Sequence, residues 1–76
     1  MLNHVMVGSN DIARSKAFYD AVLAVLGAGA PIENQAASGH RRLFYRYAGS
    51  TFCISEPIDD APATPGNGHT IGFKCA

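Results

Sequence analysis

The sequence has no excess of charge, no long apolar run and few cysteines. Six basic and six acidic residues balance, so no net field favours nucleic acid or an anionic membrane surface. No apolar stretch approaches the roughly 20 residues that span a bilayer. The first residues also lack the basic start and apolar run of a signal peptide. We therefore expect a cytoplasmic protein without nucleic-acid or membrane partners.

The two cysteines and the short length set further bounds. Cys53 and Cys75 lie in strand-like apolar stretches, and since nothing else is typical of a secreted chain, buried reduced thiols are expected over a disulfide. Seventy-six residues allow one small domain with a marginal core. The 47% hydrophobic content argues against disorder and favours association, so we expect a homodimer.

The N-terminal third alternates like a strand and then takes helical spacing. Residues 2–7 predict the first strand, and residues 9–11 offer three N-cap side chains. A helix is predicted from Ile12 to a stop at Gly27. Its expected apolar face comprises Ile12, Ser15, Phe18 or Tyr19, Val22 and Leu26, widened by Leu23 and Val25.

The middle of the chain predicts three further strands. Residues 32–35 indicate a short edge strand, and residues 41–48 and 51–56 predict a hairpin with Gly49-Ser50 as its two-residue turn. That register pairs Tyr47 with Phe52 and Arg46 with Cys53. One face is then apolar and suited to cover the helix, with Leu43, Tyr45, Tyr47, Phe52 and Ile54. The other face is mixed, with Arg42, Phe44, Arg46, Cys53 and Ser55.

The C-terminal part predicts a linker and one more strand. Residues 57–68 are rich in proline, glycine and aspartate, which is typical of a linker. Residues 69–75 alternate again, and Ile71, Phe73 and Cys75 share an apolar face. The predicted fold class is α+β, a β-α-β-β-β module on one long helix followed by an extra strand. Nothing in the chain is expected to cover that strand, whereas a partner chain could.

Two stretches resemble a known superfamily. "HVMVGSNDIARSKAFYDAVLAVLG" is similar to the opening of vicinal oxygen chelate proteins, which include glyoxalase I, bleomycin resistance proteins and extradiol dioxygenases. The matching residues are His4, Asp11-x-x-Arg14-Ser15, Phe18-Tyr19 and the closing Leu26-Gly27. "FCISEPIDDAPATPGNGHTIGF" is similar to the strand, linker and restart between the two halves of such proteins.

The resemblance implies a cup-like sheet built from two β-α-β-β-β modules around a binding site. It covers only the N-terminal half of such a protein. Residues 1–57 would be the first module, residues 58–68 the linker, and residues 69–76 the first strand of an incomplete second module or a swapped strand. We expect two chains to complete the cup, with a fragment of a longer protein as the alternative.

The resemblance also implies where a metal ion would bind. Metal-dependent relatives use a His on the first strand, a carboxylate on the fourth, a His on the fifth and a carboxylate on the eighth. His4, Glu56 and His69 are the candidates here. His4 fits, but strand parity turns Glu56 and His69 away from the cup and places Cys53 and Thr70 at those positions. We expect no cofactor, with a divalent metal as the alternative.

The expected ligand-binding side chains lie on the cup face: His4, Phe44, Arg46, Cys53, Ser55 and Thr70. Arg42 and Arg46 beside Phe44 could meet a carboxylate or phosphate, or could simply form a solvated strand face. His40 is expected at the surface. Three hypotheses stay open: a small-molecule-binding protein without a complete metal site; a metal-dependent lyase, isomerase or dioxygenase that uses His4; and an inactive half-domain.

Overall fold

The computed structural model describes residues 1–74 and contains one helix and four strands. The strands are β1 (Val5–Gly8), β2 (Ile32–Gln35), β3 (Arg41–Tyr47) and β4 (Ser50–Ser55), and the helix is α1 (Ile12–Leu26). They form one sheet in the order β1-β4-β3-β2. β1 runs parallel to β4, whereas the other neighbours are antiparallel. The α+β class is confirmed, although β1 begins later than the predicted residue 2.

The helix begins and ends where its capping residues predict. The Asp11 carboxylate accepts a hydrogen bond from the Arg14 backbone N–H at 3.1 Å, and Gly27 ends the helix with φ 103°. The face that packs is narrower than predicted. Ile12 and Leu23 are buried, Tyr19 and Leu26 are partly buried, and Phe18, Val22 and Val25 are exposed.

The hairpin forms with a register two residues away from the predicted one. Tyr45 pairs with Phe52, Phe44 with Cys53 and Tyr47 with Ser50. The turn is Ala48-Gly49, and both residues have positive φ (52° and 83°). This backbone twist is the one that two-residue hairpins prefer, so the turn lies one residue before Gly49-Ser50. Because the shift is even, both predicted faces are preserved.

The core lies between α1 and one face of the sheet. Ile12 and Leu23 of the helix meet four buried strand side chains, namely Leu43, Tyr45, Phe52 and Ile54. These four are the predicted apolar face apart from Tyr47, which is about half exposed. No helix among residues 1–74 has the length and apolarity needed to cross a membrane.

The segment after β4 does not form the predicted strand. Residues 69–74 are assigned to no strand, so that prediction is wrong for them, and Cys75 lies outside the described residues. Ile71 packs against the core, and the Phe73 ring lies edge-on to Phe52 with centroids 5.2 Å apart. A strand needs a neighbouring strand whose edge can hydrogen-bond to its backbone. Here the burial of apolar side chains positions the segment instead. The division into module, linker and second-module start stays a prediction.

Candidate functional site: the helix-free face of the sheet

The sheet face opposite α1, called the helix-free face below, carries the mixed side chains that the sequence predicts. Strand pairing aligns Ile32, Phe44, Cys53 and Met6 in one row across all four strands. Residues paired across strands point to the same side, so this row runs through the centre of the face. Met6 and Ile32 at its ends are 43% and 53% exposed. The face therefore presents apolar surface to solvent in this chain.

Two arginines flank the ring at the centre of this row. The guanidinium carbons of Arg42 and Arg46 lie 5.4 Å and 5.9 Å from the centroid of the Phe44 ring. These distances suit cation–π attraction. Arg42 also donates to the Asn34 side-chain oxygen at 3.0 Å. Within residues 1–74, neither guanidinium forms a salt bridge with a carboxylate. The face thus holds two positive charges that no acid neutralises directly.

Cys53 lies beneath this arrangement and is fully buried. Burial raises the pKa of its thiol, and the nearby guanidiniums of Arg46 and Arg42 only partly oppose that effect. The side chain is therefore a neutral thiol near neutral pH, which is a weak metal ligand and a weak nucleophile. Ser55 lies two residues after Cys53 on the same face of β4. It is also buried, and its hydroxyl donates a hydrogen bond to the Glu56 backbone carbonyl at 2.8 Å.

The other two predicted ligand-binding residues lie outside the sheet. His4 precedes β1, is exposed, and has Nδ1 3.0 Å from the Asn3 side-chain oxygen. Thr70 is exposed in the segment after the linker. The structure thus brings together Phe44, Arg46, Cys53 and Ser55, with Arg42 beside them, and leaves His4 and Thr70 apart from that group.

The three candidate metal ligands border three different depressions. His4 borders a cavity between α1 and the sheet, whereas Glu56 borders a depression that also contains His40. His69 borders a cleft along β1, and its ring lies directly over the Gly66 α-carbon. Across residues 1–74, no three His, Cys, Asp or Glu side chains form a group that could hold a metal ion. The described part of one chain therefore does not fit the ion that the resemblance implies.

One polar constellation was missed from the sequence. His40, expected at the surface, has a side chain only 14% exposed. Its Nδ1 lies 2.7 Å from the Ser38 hydroxyl and its Nε2 lies 2.8 Å from the Asp60 carboxylate. Asp60 comes from the linker, 20 residues further along the chain, so local spacing could not indicate the contact. A hydrogen-bonded pair between Asn10 and Ala63 also fixes the linker against the start of α1.

The comparisons with known proteins point to one family. No protein-family model matches the chain, and no curated protein matches it either. Among solved structures, it is similar to a glyoxalase/bleomycin resistance protein from Albidiferax ferrireducens T118, with 49% sequence identity and a TM-score of 0.87. The match covers 99% of this chain and 56% of that protein, so the chain spans about half the length of its relative. In sequence and in fold, the chain is similar to a glyoxalase/bleomycin resistance protein, which is consistent with the vicinal oxygen chelate superfamily.

Proposed function

We propose that the helix-free face binds a small organic anion. The observation that carries this proposal is the Arg42–Phe44–Arg46 group, in which two guanidiniums flank one ring and neither pairs with a carboxylate of residues 1–74. A guanidinium matches the geometry of a carboxylate or phosphate with two parallel hydrogen bonds. An aromatic ring between two such groups adds a flat apolar contact for the body of the ligand.

A second copy of the chain completes the site in this proposal. The helix-free face is open, and its exposed apolar side chains at both ends of the central row, Met6 and Ile32, need cover. The relative is about twice as long as the matched region, so a second copy supplies a comparable amount of chain. Two facing sheets would exclude water from the arginines, which strengthens their attraction for an anion.

In this proposal the helix-free face binds its ligand without reacting with it, and the arginines supply the positive charge that attracts the anion. His4, Glu56 and His69 lie apart, so the proposed binding does not involve a metal ion held by these residues. The alternative is a metal-dependent lyase, isomerase or dioxygenase that uses His4. Metal analysis of protein purified without chelator separates the two functions. If the unsubstituted chain holds stoichiometric metal that is lost in a His4→Ala variant, the metal-dependent enzyme would replace the anion-binding protein as the function.

The binding test uses phenyl phosphate and benzoate as probes, titrated into the full chain and followed by amide chemical shifts. We expect shifts grouped around Phe44 and Arg46, and about tenfold weaker binding in Arg46→Gln. Arg14→Gln is the matched control, because Arg14 is an exposed arginine on α1. Equal losses in both variants would show a general charge effect and refute a site at Phe44.

Assembly needs its own measurement, which is light scattering after gel filtration at micromolar concentration. We expect a dimer, and Met6→Glu should weaken it because a charge would then face the partner's apolar surface. Asp59→Asn, an exposed linker substitution, should leave the assembly unchanged. A clean, folded monomer of the unsubstituted chain at this concentration would refute the second copy.

A further inference from the structure

A cavity of about 340 Å³ lies on the opposite side of the sheet, between the C-terminal half of α1 and the segment 71–74. We call it the helix-side cavity. Leu23 and Leu26 of the helix form one wall, Phe52 lies on the sheet side, and Ile71 and Phe73 cover it. The volume falls within the range of small-molecule sites, roughly 300–1,000 Å³. The sheet separates this cavity from the helix-free face, so the two sites are independent.

The polar groups of the cavity come from the first residues of the chain, the start of β4 and the C-terminal segment. They include Asn3, Thr51 and Lys74, whereas no aspartate or glutamate of the described residues lines the cavity. The Tyr45 hydroxyl, the polar tip of another lining residue, donates to the Asp20 carboxylate at 2.6 Å. That hydroxyl is therefore already satisfied. The cavity combines an apolar interior with a polar lining that is cationic at Lys74.

We propose that the helix-side cavity binds a small planar aromatic molecule that carries one carboxylate or sulfonate group. The aromatic body packs between the Leu23–Leu26 wall and Phe52, where burial of apolar surface drives binding. The anionic group faces Lys74 and hydrogen-bond donors such as the Asn3 amide. A cationic ligand is disfavoured, because none of residues 1–74 brings a carboxylate to the cavity. The site goes beyond the proposed function, because it uses none of the residues of the helix-free face.

The test uses 2-naphthoate as the probe, with 2-naphthylmethanol as its neutral counterpart. Both are titrated into the ¹⁵N-labelled full chain, and amide shifts report the site. We expect shifts grouped at Leu23, Leu26, Phe52 and Ile71, and about fivefold weaker binding of the alcohol. Shifts confined to Phe44 and Cys53 would overturn the helix-side cavity. Equal affinity for the alcohol would overturn the charge preference.

Two variants test the site directly. Ala28→Phe places a ring in the cavity, because Ala28 lines it, and should weaken 2-naphthoate binding at least tenfold. Ala21→Phe is the matched control on the exposed side of α1 and should leave binding unchanged. Unaltered binding by a folded Ala28→Phe would overturn the proposal. If Ala28→Phe does not fold, Lys74→Glu at an exposed position decides, with about fivefold weaker binding expected and no change overturning the proposal.

The helix-free face is tested separately by the Arg42→Gln, Arg46→Gln double variant. Binding of 2-naphthoate in the helix-side cavity should be unchanged in that variant, because both arginines lie on the opposite side of the sheet. A double variant that loses the benzoate-induced shifts around Phe44 but keeps the 2-naphthoate-induced shifts at Leu23 and Ile71 supports two sites. Loss of both groups of shifts in a folded double variant would overturn the independence of the helix-side cavity, and loss of neither would refute only the proposed function.

Discussion

The two faces of the sheet differ in solvent accessibility, although neighbouring residues of the same strands form them. On the helix side, Leu43 and Ile54 are essentially inaccessible, and α1 closes over them. On the helix-free face, the adjacent residues Phe44 and Arg46 stay at least partly accessible. Strand alternation alone produces this division. The comparison indicates that stability is concentrated on the helix side, whereas the helix-free face leaves apolar and charged side chains open to solvent.

The largest effect should come from the core side of β3. Leu43→Ala removes a fully buried side chain and should lower the free energy of unfolding by about 2–5 kcal/mol. In so small a domain this loss is a large part of the total free energy of unfolding. Phe44→Ala, the adjacent residue on the helix-free face, should cost less than half as much. Urea denaturation followed by circular dichroism measures both, and equal costs would refute the division between the faces.

The division itself could be predicted from the sequence, because it depends only on parity. An error of two residues in the hairpin register left every side chain of β3 and β4 on its correct face. What alternation could not supply was long-range information. The contact of His40 with Asp60 joins segments 20 residues apart, and Ile71 packs against the core although residues 69–74 alternate like a strand.

The candidate site was predicted in part for the same reason. Phe44, Arg46, Cys53 and Ser55 lie on strands, so parity brought them together. His4 and Thr70 lie outside the paired strands, where alternation no longer fixes a side chain's direction. The resemblance offered His4, Glu56 and His69 as metal candidates, and strand parity already turned Glu56 and His69 away from the cup. Which depression His69 borders depends on the path of the linker, which no local pattern encodes.

The end of α1 offers a second way to test the helix side. Gly27 has φ 103°, and a methyl group there would lie 2.8 Å from the Tyr47 hydroxyl oxygen. Gly27→Ala should therefore cost about 1–2 kcal/mol, from backbone strain and from displacement of that ring. Gly29→Ala is the matched control, because open space surrounds that α-carbon. Thermal unfolding compares the two variants, and an equal, small shift would show that the helix end does not need glycine.

The hydrogen bond between Tyr45 and Asp20 makes the helix side sensitive to acid. The hydrogen bond from Lys16, followed by that from Tyr45, lowers the pKa of the Asp20 carboxyl. A lowered pKa stabilises the fold above the unfolded value of about 3.9, and this contribution is lost as the pH falls through the folded value.

Tyr45→Phe should accordingly cost about 1 kcal/mol near neutral pH. Its deficit relative to the unsubstituted chain should begin to shrink as the pH falls below about 4. It should vanish once the pH lies below the lowered folded pKa of Asp20, where the carboxylate is protonated in both proteins. Urea midpoints between pH 2.5 and 7 measure this convergence. A deficit that stays constant over the whole range would show that the tyrosine contributes by packing alone.

The smallest effect compares two arginines of β3 that differ in the face they occupy. Arg41 has the parity of the core residues and forms a salt bridge with Glu33 on β2, so Arg41→Gln should slightly lower the free energy of unfolding, as is usual for an exposed pair. Arg46 has no such partner among residues 1–74, so Arg46→Gln should change the free energy of unfolding by less than about 0.5 kcal/mol. High salt should remove the cost at Arg41, because screening weakens an exposed pair. A larger loss of unfolding free energy at Arg46 than at Arg41 would mean that the Arg42–Phe44–Arg46 group stabilises the fold. The helix-free face would then contribute to stability as the core does, and the contrast between the two faces would be wrong.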